Sequence, residues 1–236
     1  MLVNEQDASS DVWREALAII RRYPTATLVP AVMLGGLAQA PAYFIEGRPV
    51  MDRVVTYLTA AFAYYLYLAY AEEIATEADR KVNRITLPDV LRKLRQAMPF
   101  SPRVLVAASL SFLVSSFAAI LLVVPGAWLF TRWSLSTPVV SKEDLGSIAA
   151  LKRSNGIVRR HFWFVFETAT LAFVLEEAAV YTGASTGLLV TGSDTWGDWI
   201  GGSIPAVLIM PLAAFTTSLA YARLAARTHS HLIVLK

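Results

Sequence analysis

Apolar runs of membrane-spanning length alternate along the chain with polar, mostly basic segments. A helix rises about 1.5 Å per residue, so about 20 apolar residues cross a hydrocarbon core of roughly 30 Å. The pattern predicts an all-α, polytopic membrane protein with a single integral membrane domain over residues 1–236. Its six transmembrane helices are predicted at about 25–44, 54–71, 104–124, 127–140, 162–181 and 200–222.

Basic amphipathic segments precede the first, third and fifth spans. We predict surface helices there, so that three hairpins stand on a collar of helices at about 11–22, 87–98 and 143–155. One face of the first is apolar and bordered by arginines, which is typical of a helix lying in the plane of a bilayer surface. That face comprises Trp13, Ala16, Leu17 and Ile20. The alternative is that this helix packs on other parts of the protein.

Spacing also predicts how the other two surface helices begin and which faces they bury. Thr86 with Asp89, and Ser141 with Asp144, have the spacing of a capping box. The apolar stripe of the second helix comprises Leu87, Leu91, Leu94 and Met98. The inward residues of the third are Leu145, Ile148 and Ala149.

The distribution of Lys and Arg predicts the orientation in the membrane. Cytoplasmic loops carry the excess of these residues, and the outer loops here hold only Arg48 and Arg53. Both termini are therefore predicted to be cytoplasmic. The fourth span, at about 14 residues, gives only about 21 Å of helix. Without it, however, the basic residues of 142–160 would lie outside, so the charge pattern supports it.

Composition narrows the possible chemistry. The chain is 56% hydrophobic, above the roughly 45–50% of soluble domains. It has no Cys, which excludes disulfides and thiolate chemistry. His161, His229 and His231 lie near the predicted membrane surface, and no metal or other cofactor is expected. The acidic N-terminus lacks the features of a cleaved signal peptide, so we expect the first span to be the insertion signal.

Charged residues inside the predicted spans are the candidate functional site, because charge within a bilayer is costly. They are Glu167, Glu176 and Glu177 in the fifth span and Arg132 in the fourth. Glu176 is predicted toward the outer end of its helix, roughly 21 Å from Phe162. The adjacent glutamates could carry a proton, hold a cation or pair with Arg132. The alternative is an interfacial pair near a helix end.

The second span is rich in tyrosine. Tyr57, Tyr64 and Tyr67 share one face of the predicted helix. We predict an interfacial belt and helix packing for the tyrosines of this span, with the lining of a cavity as the alternative. The helix is expected to continue into water through Glu72, Glu73 and Glu77.

The basic collar suits the headgroups of anionic lipids, which attract Lys and Arg near a membrane surface. The candidate contacts are Arg21, Arg22, Arg92, Lys93, Arg95, Lys152, Arg153, Arg159 and Arg160. The alternative is that these residues only determine topology. Nucleic-acid binding is not expected, because the membrane already occupies the surface where the cations lie.

An enzymatic function is not expected. Residues 183–187 match Gly-x-Ser-x-Gly, but a nucleophile elbow needs a strand before it and a helix after it. Here Ser185 follows a predicted span and lies in a predicted outer loop, Thr182 to Trp199, and all three His are on the other side. No phosphate-binding loop or His-Glu-x-x-His motif is present.

Short motifs in the central stretch carry a resemblance to a known family. They are Pro125-Gly126, Arg132-Trp133-Ser134-Leu135, Pro138-Val139-Val140, Glu143, and Ala150-Leu151-Lys152-Arg153-Ser154 through Arg159 to Trp163. With them the chain resembles the membrane domain attached to some bacterial glycerophosphodiester phosphodiesterases and its stand-alone, largely uncharacterised relatives. The resemblance implies a helical module of the bacterial cytoplasmic membrane. It does not imply phosphodiesterase activity, because these residues include no such catalytic domain.

Two functions are compatible with these patterns. The intramembrane glutamates and the basic collar favour a protein that handles or transports a lipid or another amphiphile. The weakness of any binding motif favours a non-catalytic scaffold or accessory subunit, with a protein partner or a second copy of the chain.

Overall fold

The computed structural model describes residues 5–39, 49–79, 85–97, 102–107, 109–111, 114, 123–193 and 196–234. Every regular element in these residues is helical, which confirms the all-α class there. The principal elements are α1 (Glu5–Arg22), α2 (Pro24–Gln39), α3 (Pro49–Asp79), α4 (Leu87–Ala97), α5 (Val123–Trp133), α6 (Ser136–Glu143), α7 (Ser147–Val158), α8 (Phe162–Val165), α9 (Leu171–Thr191) and α10 (Gly202–Val234). π-Helical turns, Phe166–Thr170 and Gly197–Gly201, precede α9 and α10.

Helix α10 lies at the centre of the fold and packs on α1, α2, α3 and α9. Every residue from Ala213 to Tyr221 is buried. Most of them are alanine, serine or threonine, and small side chains allow neighbouring helices to approach closely. One buried surface therefore joins the N-terminal helices to the C-terminal ones.

Two tyrosines fasten α3 to α2. The Tyr67 hydroxyl donates to the carbonyl oxygen of Thr27 at 2.8 Å, and the Tyr70 hydroxyl donates to that of Ala26 at 2.6 Å. Pro30 has no N–H, so the Ala26 carbonyl lacks its donor within α2. Tyr70 supplies that donor from the neighbouring helix. The predicted packing role is therefore confirmed for Tyr67.

Helix α1 buries a different face from the predicted one. Its buried apolar residues are Val12, Ala16 and Ile19, whereas Leu17 is 40% exposed. The helix packs on α10 and α8. The alternative prediction, packing on protein, is correct for the face with Val12, Ala16 and Ile19, and contact of the outer face with a bilayer surface stays a prediction. Val12 and Ala16 have short side chains that allow a close approach, so Leu17 is left on the outer side among the arginines.

The predicted inward faces of the other two surface helices are wrong in part. In α4, Leu94 is buried as predicted. Leu87 and Leu91, which were also predicted to be buried, are about half exposed, and Val90 is buried instead. Met98 lies outside the described residues. In α7, Ile148 and Ala149 are exposed, and the buried residues are Ala150, Leu151, Ser154, Ile157 and Val158. In each helix two adjacent apolar stripes were available, and only packing selects between them.

One of the two predicted capping boxes forms. The Asp89 carboxylate accepts hydrogen bonds from the Thr86 N–H at 3.1 Å and the Thr86 hydroxyl at 2.6 Å. These bonds hold the pKa of Asp89 below its usual range. The Ser141–Asp144 box is wrong, because α6 runs through Ser141 and ends at Asp144, whose φ of 48° is left-handed.

The fourth predicted span is not one continuous helix. A turn at Ser134 and Leu135 separates α5 from α6. Pro138, in the first turn of α6, cannot donate to the carbonyl of Ser134, so a helix could not continue unbroken through this point. The two helices together extend from Val123 to Glu143. Their combined length, roughly 30 Å if fully helical, exceeds that of the predicted span.

The fifth predicted span is longer than the sequence suggested. From Phe162 the helical backbone continues through the π-helical turn and α9 to Thr191, and Gly192 ends it with φ 65°. The predicted outer loop from Thr182 to Trp199 is therefore wrong over its first half. Glycine, serine and threonine within it form helix rather than loop.

Four glycines explain this difference. Gly183 and Gly187 lie one turn apart on α9 and face Gly201 and Gly197 of the second π-helical turn. A Cβ at Gly183 would collide with the carbonyl oxygen of Gly201, and one at Gly187 with that of Gly197. The backbones are therefore in direct contact, as in other small-residue helix crossings.

Within the described residues, one helical segment, Trp199–Ala226, has both the length and the apolar character of a membrane span. Pro24–Gly36 is apolar but shorter. Most of the third predicted span lies outside the described residues, so the complete arrangement of six spans stays a prediction.

Candidate functional site

Glu176 lies near the middle of the continuous helical stretch from Phe162 to Thr191. About 21 Å of helix precede it and about the same length follows. The sequence placed it toward the outer end because the helix was expected to stop at about residue 181. The helix end that the alternative of an interfacial pair supposed therefore does not lie near this residue.

The Glu176 side chain points into the protein and is 5% exposed. Its Oε2 atom is buried and has no hydrogen-bond partner among the residues that the structure describes. Buried polar atoms are rarely left unpaired, and a buried carboxylate without a partner is especially costly. This atom therefore requires a proton, a cation or a hydrogen-bond donor.

The Tyr64 side chain lies in the neighbourhood of the carboxyl group. Tyr64 lies close enough to Glu176 to interact with it electrostatically, and Thr217 of α10 lies near the Tyr64 hydroxyl. The Tyr64 ring also packs edge-on against Phe173, one turn before Glu177. The site is thus built by α3, α9 and α10, with an apolar wall and a few hydroxyl groups. The position of Tyr64 agrees better with the alternative prediction, that it lines a site, than with the prediction of an interfacial belt.

The other three predicted site residues are not joined to Glu176. Glu177 is exposed on the outer side of α9. Glu167 is half-buried in the first π-helical turn, roughly 14 Å along the helix from Glu176. The suggested pairing of Arg132 with the glutamates is wrong. Its Nη1 atom donates to Asn155 at 2.9 Å instead, and its guanidinium stacks over Trp128 at 4.0 Å.

Arg132 joins α5 to the surface helix α7. In addition to the Asn155 contact, the Ser154 hydroxyl donates to the Arg132 carbonyl oxygen at 2.8 Å. Ser154 and Asn155 directly follow the basic residues Lys152 and Arg153, which are predicted at the membrane surface. Arg132 therefore lies at the end of α5 near that surface. That position explains why it does not reach a carboxylate at mid-helix.

A second polar cluster lies where α3, α6, α7 and α10 meet. The Ser141 hydroxyl donates to Glu72 at 2.7 Å, and Lys142 pairs with Glu73 at 3.0 Å. Glu143 accepts from Arg153 at 3.0 Å and from the Tyr221 hydroxyl at 3.1 Å. We call these residues the basal network: Glu72, Glu73, Ser141, Lys142, Glu143, Arg153 and Tyr221.

Glu72 is the buried member of the basal network, so the expectation of exposure to water is wrong for this residue, whereas the adjacent Glu73 is partly exposed. Burial raises its pKa to about 7, and Glu73 adds to the rise, while the Ser141 hydrogen bond and Lys142 oppose it. A carboxyl group with this pKa exchanges its proton near neutral pH.

The candidate headgroup contacts divide into two groups. Lys93 is buried and pairs with Glu77 at 2.6 Å, and Arg153 is held by Glu143, so neither side chain is free for a lipid. Arg92 pairs with Asp89 but stays exposed. The remaining candidates are exposed: Arg21, Arg22, Arg95, Lys152, Arg159 and Arg160.

Several residues around the carboxyl groups were missed by sequence analysis. Thr217 and Thr137 are buried and Ser141 is partly buried, all within helices, a setting in which most such hydroxyl groups bond only to their own backbone. One signal was available. Thr137 precedes Ser141 by four residues, and Thr217 precedes Tyr221 by four, so each pair lies on one helical face.

Comparison with known proteins gives one match of limited extent. A region of 112 residues is 29% identical to the UPF0259 membrane protein SG1383 of Sodalis glossinidius (strain morsitans). It covers 48% of this chain and 44% of that protein, so the chain matches less than half of the relative's length. No family description matches the chain, and no solved structure matches it.

This match agrees with a bacterial membrane protein, as the resemblance implied. It does not support the more specific resemblance to the domain attached to glycerophosphodiester phosphodiesterases. The name of this relative states no activity.

Proposed function

We propose that the protein is a six-span protein of the bacterial cytoplasmic membrane that binds a lipid or another amphiphile at Glu176. In this proposal both termini are cytoplasmic, and the protein is not an enzyme. The observation that carries it is the unpaired Oε2 atom of Glu176, buried midway along an apolar helix.

The chemistry of the site favours an amphiphile with a cationic or hydrogen-bond-donating group. Such a group would satisfy the Glu176 carboxylate, and the Tyr64 hydroxyl offers a second polar contact nearby. Phe173 of α9, which packs edge-on against Tyr64, supplies an apolar wall that suits an acyl chain or another hydrophobic part. Sites of this kind are mostly apolar with a few convergent polar groups.

The membrane surface supplies the second proposed partner. Anionic headgroups suit the exposed cations of the surface helices, Arg21, Arg22, Arg95, Lys152, Arg159 and Arg160, with Arg92 beside Asp89. Each is worth about 1 kcal/mol near an anionic surface. We do not propose nucleic acid as a partner.

The test compares the lipids and small molecules that stay with the protein after gentle purification. Mass spectrometry should find one class enriched on the wild type and lost from Glu176→Gln and Glu176→Leu. The matched control is Glu177→Gln, which changes the neighbouring but exposed carboxylate. That variant should retain the same class as the wild type.

Two results would contradict this function. One is an identical set of bulk lipids on all four proteins. The other is loss of the enriched class from Glu177→Gln but not from either Glu176 variant. The Leu substitution keeps the buried position apolar, so misfolding caused by an unsatisfied amide would affect only the Gln variant.

A scaffold or accessory subunit is the second candidate, and the outer face of α9 favours it. Glu177 is exposed there among exposed apolar residues: Leu171, Val174, Leu175 and Tyr181. A carboxylate facing lipid at mid-span is costly, and a donor on a partner helix or on a second copy would relieve that cost. Purification in mild detergent should then yield a constant partner with Glu176→Gln, and Glu177→Leu should lose it. If the purified protein has no partner and retains its amphiphile alone, the scaffold candidate is refuted.

A further inference from the structure

A cavity of about 530 Å³ lies on the outer face of α1. Within the described residues it is lined by three arginines and two apolar residues: Arg14, Arg21, Arg22, Leu17 and Ala18. Their spacing of i, i+3, i+4, i+7 and i+8 places them on one side of the helix. The cavity therefore combines positive charge with apolar surface.

Contacts on the opposite side of α1 fix the direction in which the cavity faces. The buried side chains of α1 pack on α10 and α8. Arg223 of α10 donates from Nη1 to the carbonyl oxygen of Ala8 at 3.0 Å and from Nη2 to the Glu15 carboxylate at 2.7 Å. These two bonds hold the helix against rotation, so the arginines of the cavity stay on the outside.

The positive charge of the cavity is not neutralised by the residues that the structure describes. Neither Arg21 nor Arg22 forms an ion pair with any of them, and the third arginine lies 3.7 Å from an exposed aspartate one turn earlier. Glu15 is engaged by the α10 arginine, and the sequence holds no further Asp or Glu until Glu46. Uncompensated charge of this kind attracts an anionic ligand.

The two unpaired arginines lie directly before the first predicted span. Only Tyr23 separates them from Pro24, where the apolar and uncharged α2 begins. In the proposed topology this is the level of the lipid phosphates at the cytoplasmic surface. The Arg22 guanidinium lies 5.3 Å from the centroid of the Tyr23 ring, within cation–π range, and this contact helps to fix its position.

We propose that this cavity binds the headgroup phosphate of one anionic phospholipid. Arg21 and Arg22 donate hydrogen bonds to the phosphate oxygens, which suit the planar guanidinium group. Leu17 and Ala18 contact the first carbons of the acyl chains. These apolar residues favour a lipid over free phosphate, which would need the charges alone. The inference rests on the membrane topology of the proposed function and adds a surface site separate from Glu176.

The test titrates the full-length protein in detergent with phosphatidylglycerol and counts bound lipid by native mass spectrometry. The wild type should bind one equivalent in preference to phosphatidylcholine, which has no net charge. The double variant Arg21→Gln/Arg22→Gln should bind roughly thirtyfold more weakly, which corresponds to about 2 kcal/mol for two cations. The matched control is Arg95→Gln/Lys152→Gln, which removes the same charge from exposed positions on α4 and α7 and should bind like the wild type.

Two further measurements separate a lipid from a free anion. Inorganic phosphate should not displace phosphatidylglycerol from the wild type. Leu17→Ser should weaken lipid binding roughly fivefold to tenfold, because part of an apolar contact is lost. Displacement by phosphate, together with wild-type affinity in Leu17→Ser, would overturn the lipid as the ligand.

Unchanged binding in Arg21→Gln/Arg22→Gln would overturn the proposal, and so would an equal loss in both double variants, because total charge rather than the cavity would then determine binding. Glu176→Gln should keep phosphatidylglycerol at the α1 cavity while it loses the amphiphile. If the Glu176 variants retain all their lipids and only the arginine pair loses phosphatidylglycerol, the α1 site stands and the proposed Glu176 site fails.

Discussion

Replacing Glu72 with Gln should make the protein more stable at neutral and alkaline pH. The pKa of Glu72 is about 7 in the folded protein, against an ordinary value of 4.5. Burial is the main cause, so the folded state favours the protonated form. The stabilisation from holding this proton is complete below pH 4.5 and is lost as the pH rises to about 7.

The size of this effect follows from the difference in pKa. Each unit is worth about 1.4 kcal/mol, so Glu72 lowers the free energy of unfolding by roughly 3 kcal/mol between pH 4.5 and pH 7. The Glu72→Gln variant does not titrate, and the Ser141 hydroxyl can still donate to its amide oxygen. The difference in the free energy of unfolding between the variant and the wild type should therefore grow with pH and level off above about pH 7.

Denaturant unfolding in detergent at about pH 5 and pH 8 measures this difference. The matched control is Glu73→Gln, which removes the adjacent, more exposed pair with Lys142 at 3.0 Å. An exposed pair is worth at most about 1 kcal/mol, and this variant should follow the pH dependence of the wild type. Equal pH dependence in Glu72→Gln and the wild type would show that Glu72 is not buried and protonated as described.

Three further substitutions test contacts within the fold. Gly183→Ala places a methyl group against backbone and should cost roughly 1–3 kcal/mol or more, whereas Gly36→Ala, with open space around it, should be neutral or stabilising; equal thermal stability would refute the close crossing. Tyr70→Phe leaves a buried carbonyl without its donor and should cost about 1–3 kcal/mol, and an unchanged melting temperature would contradict this. Lys93→Met should destabilise the protein by roughly 2 kcal/mol, and adding Glu77→Met should recover most of it; a further loss in the double variant would refute the pair.

The sequence was sufficient to predict helices and buried charge, but not which faces meet. The all-α class follows from long apolar runs, and Glu176 was found because charge in such a run is rare. Leu17 illustrates the limit. It extends the same apolar stripe as Ala16, and only the neighbouring helix determines which of the two is buried.

Small residues were the second limit. The stretch after Tyr181 resembles a loop because glycine, serine and threonine break helices in water. Between packed helices the same residues allow backbone contact, as at Gly183 and Gly187. The Ser218 hydroxyl, unpaired among the described residues, was beyond reach for a related reason, since sequence does not reveal that this hydroxyl forms no hydrogen bond to the backbone of its own helix.

The contact of Tyr70 with Ala26 has a consequence for the order in which the chain is assembled. In the proposed membrane topology, α2 alone in the bilayer would expose a carbonyl that Pro30 has deprived of its donor, and such a group costs several kcal/mol in hydrocarbon. This cost disappears once α3 packs beside α2, because the Tyr70 hydroxyl then donates to the Ala26 carbonyl. The translocon should therefore release these two helices as a hairpin, and a nascent chain stopped before Tyr70 should stay at the lateral gate or slip back.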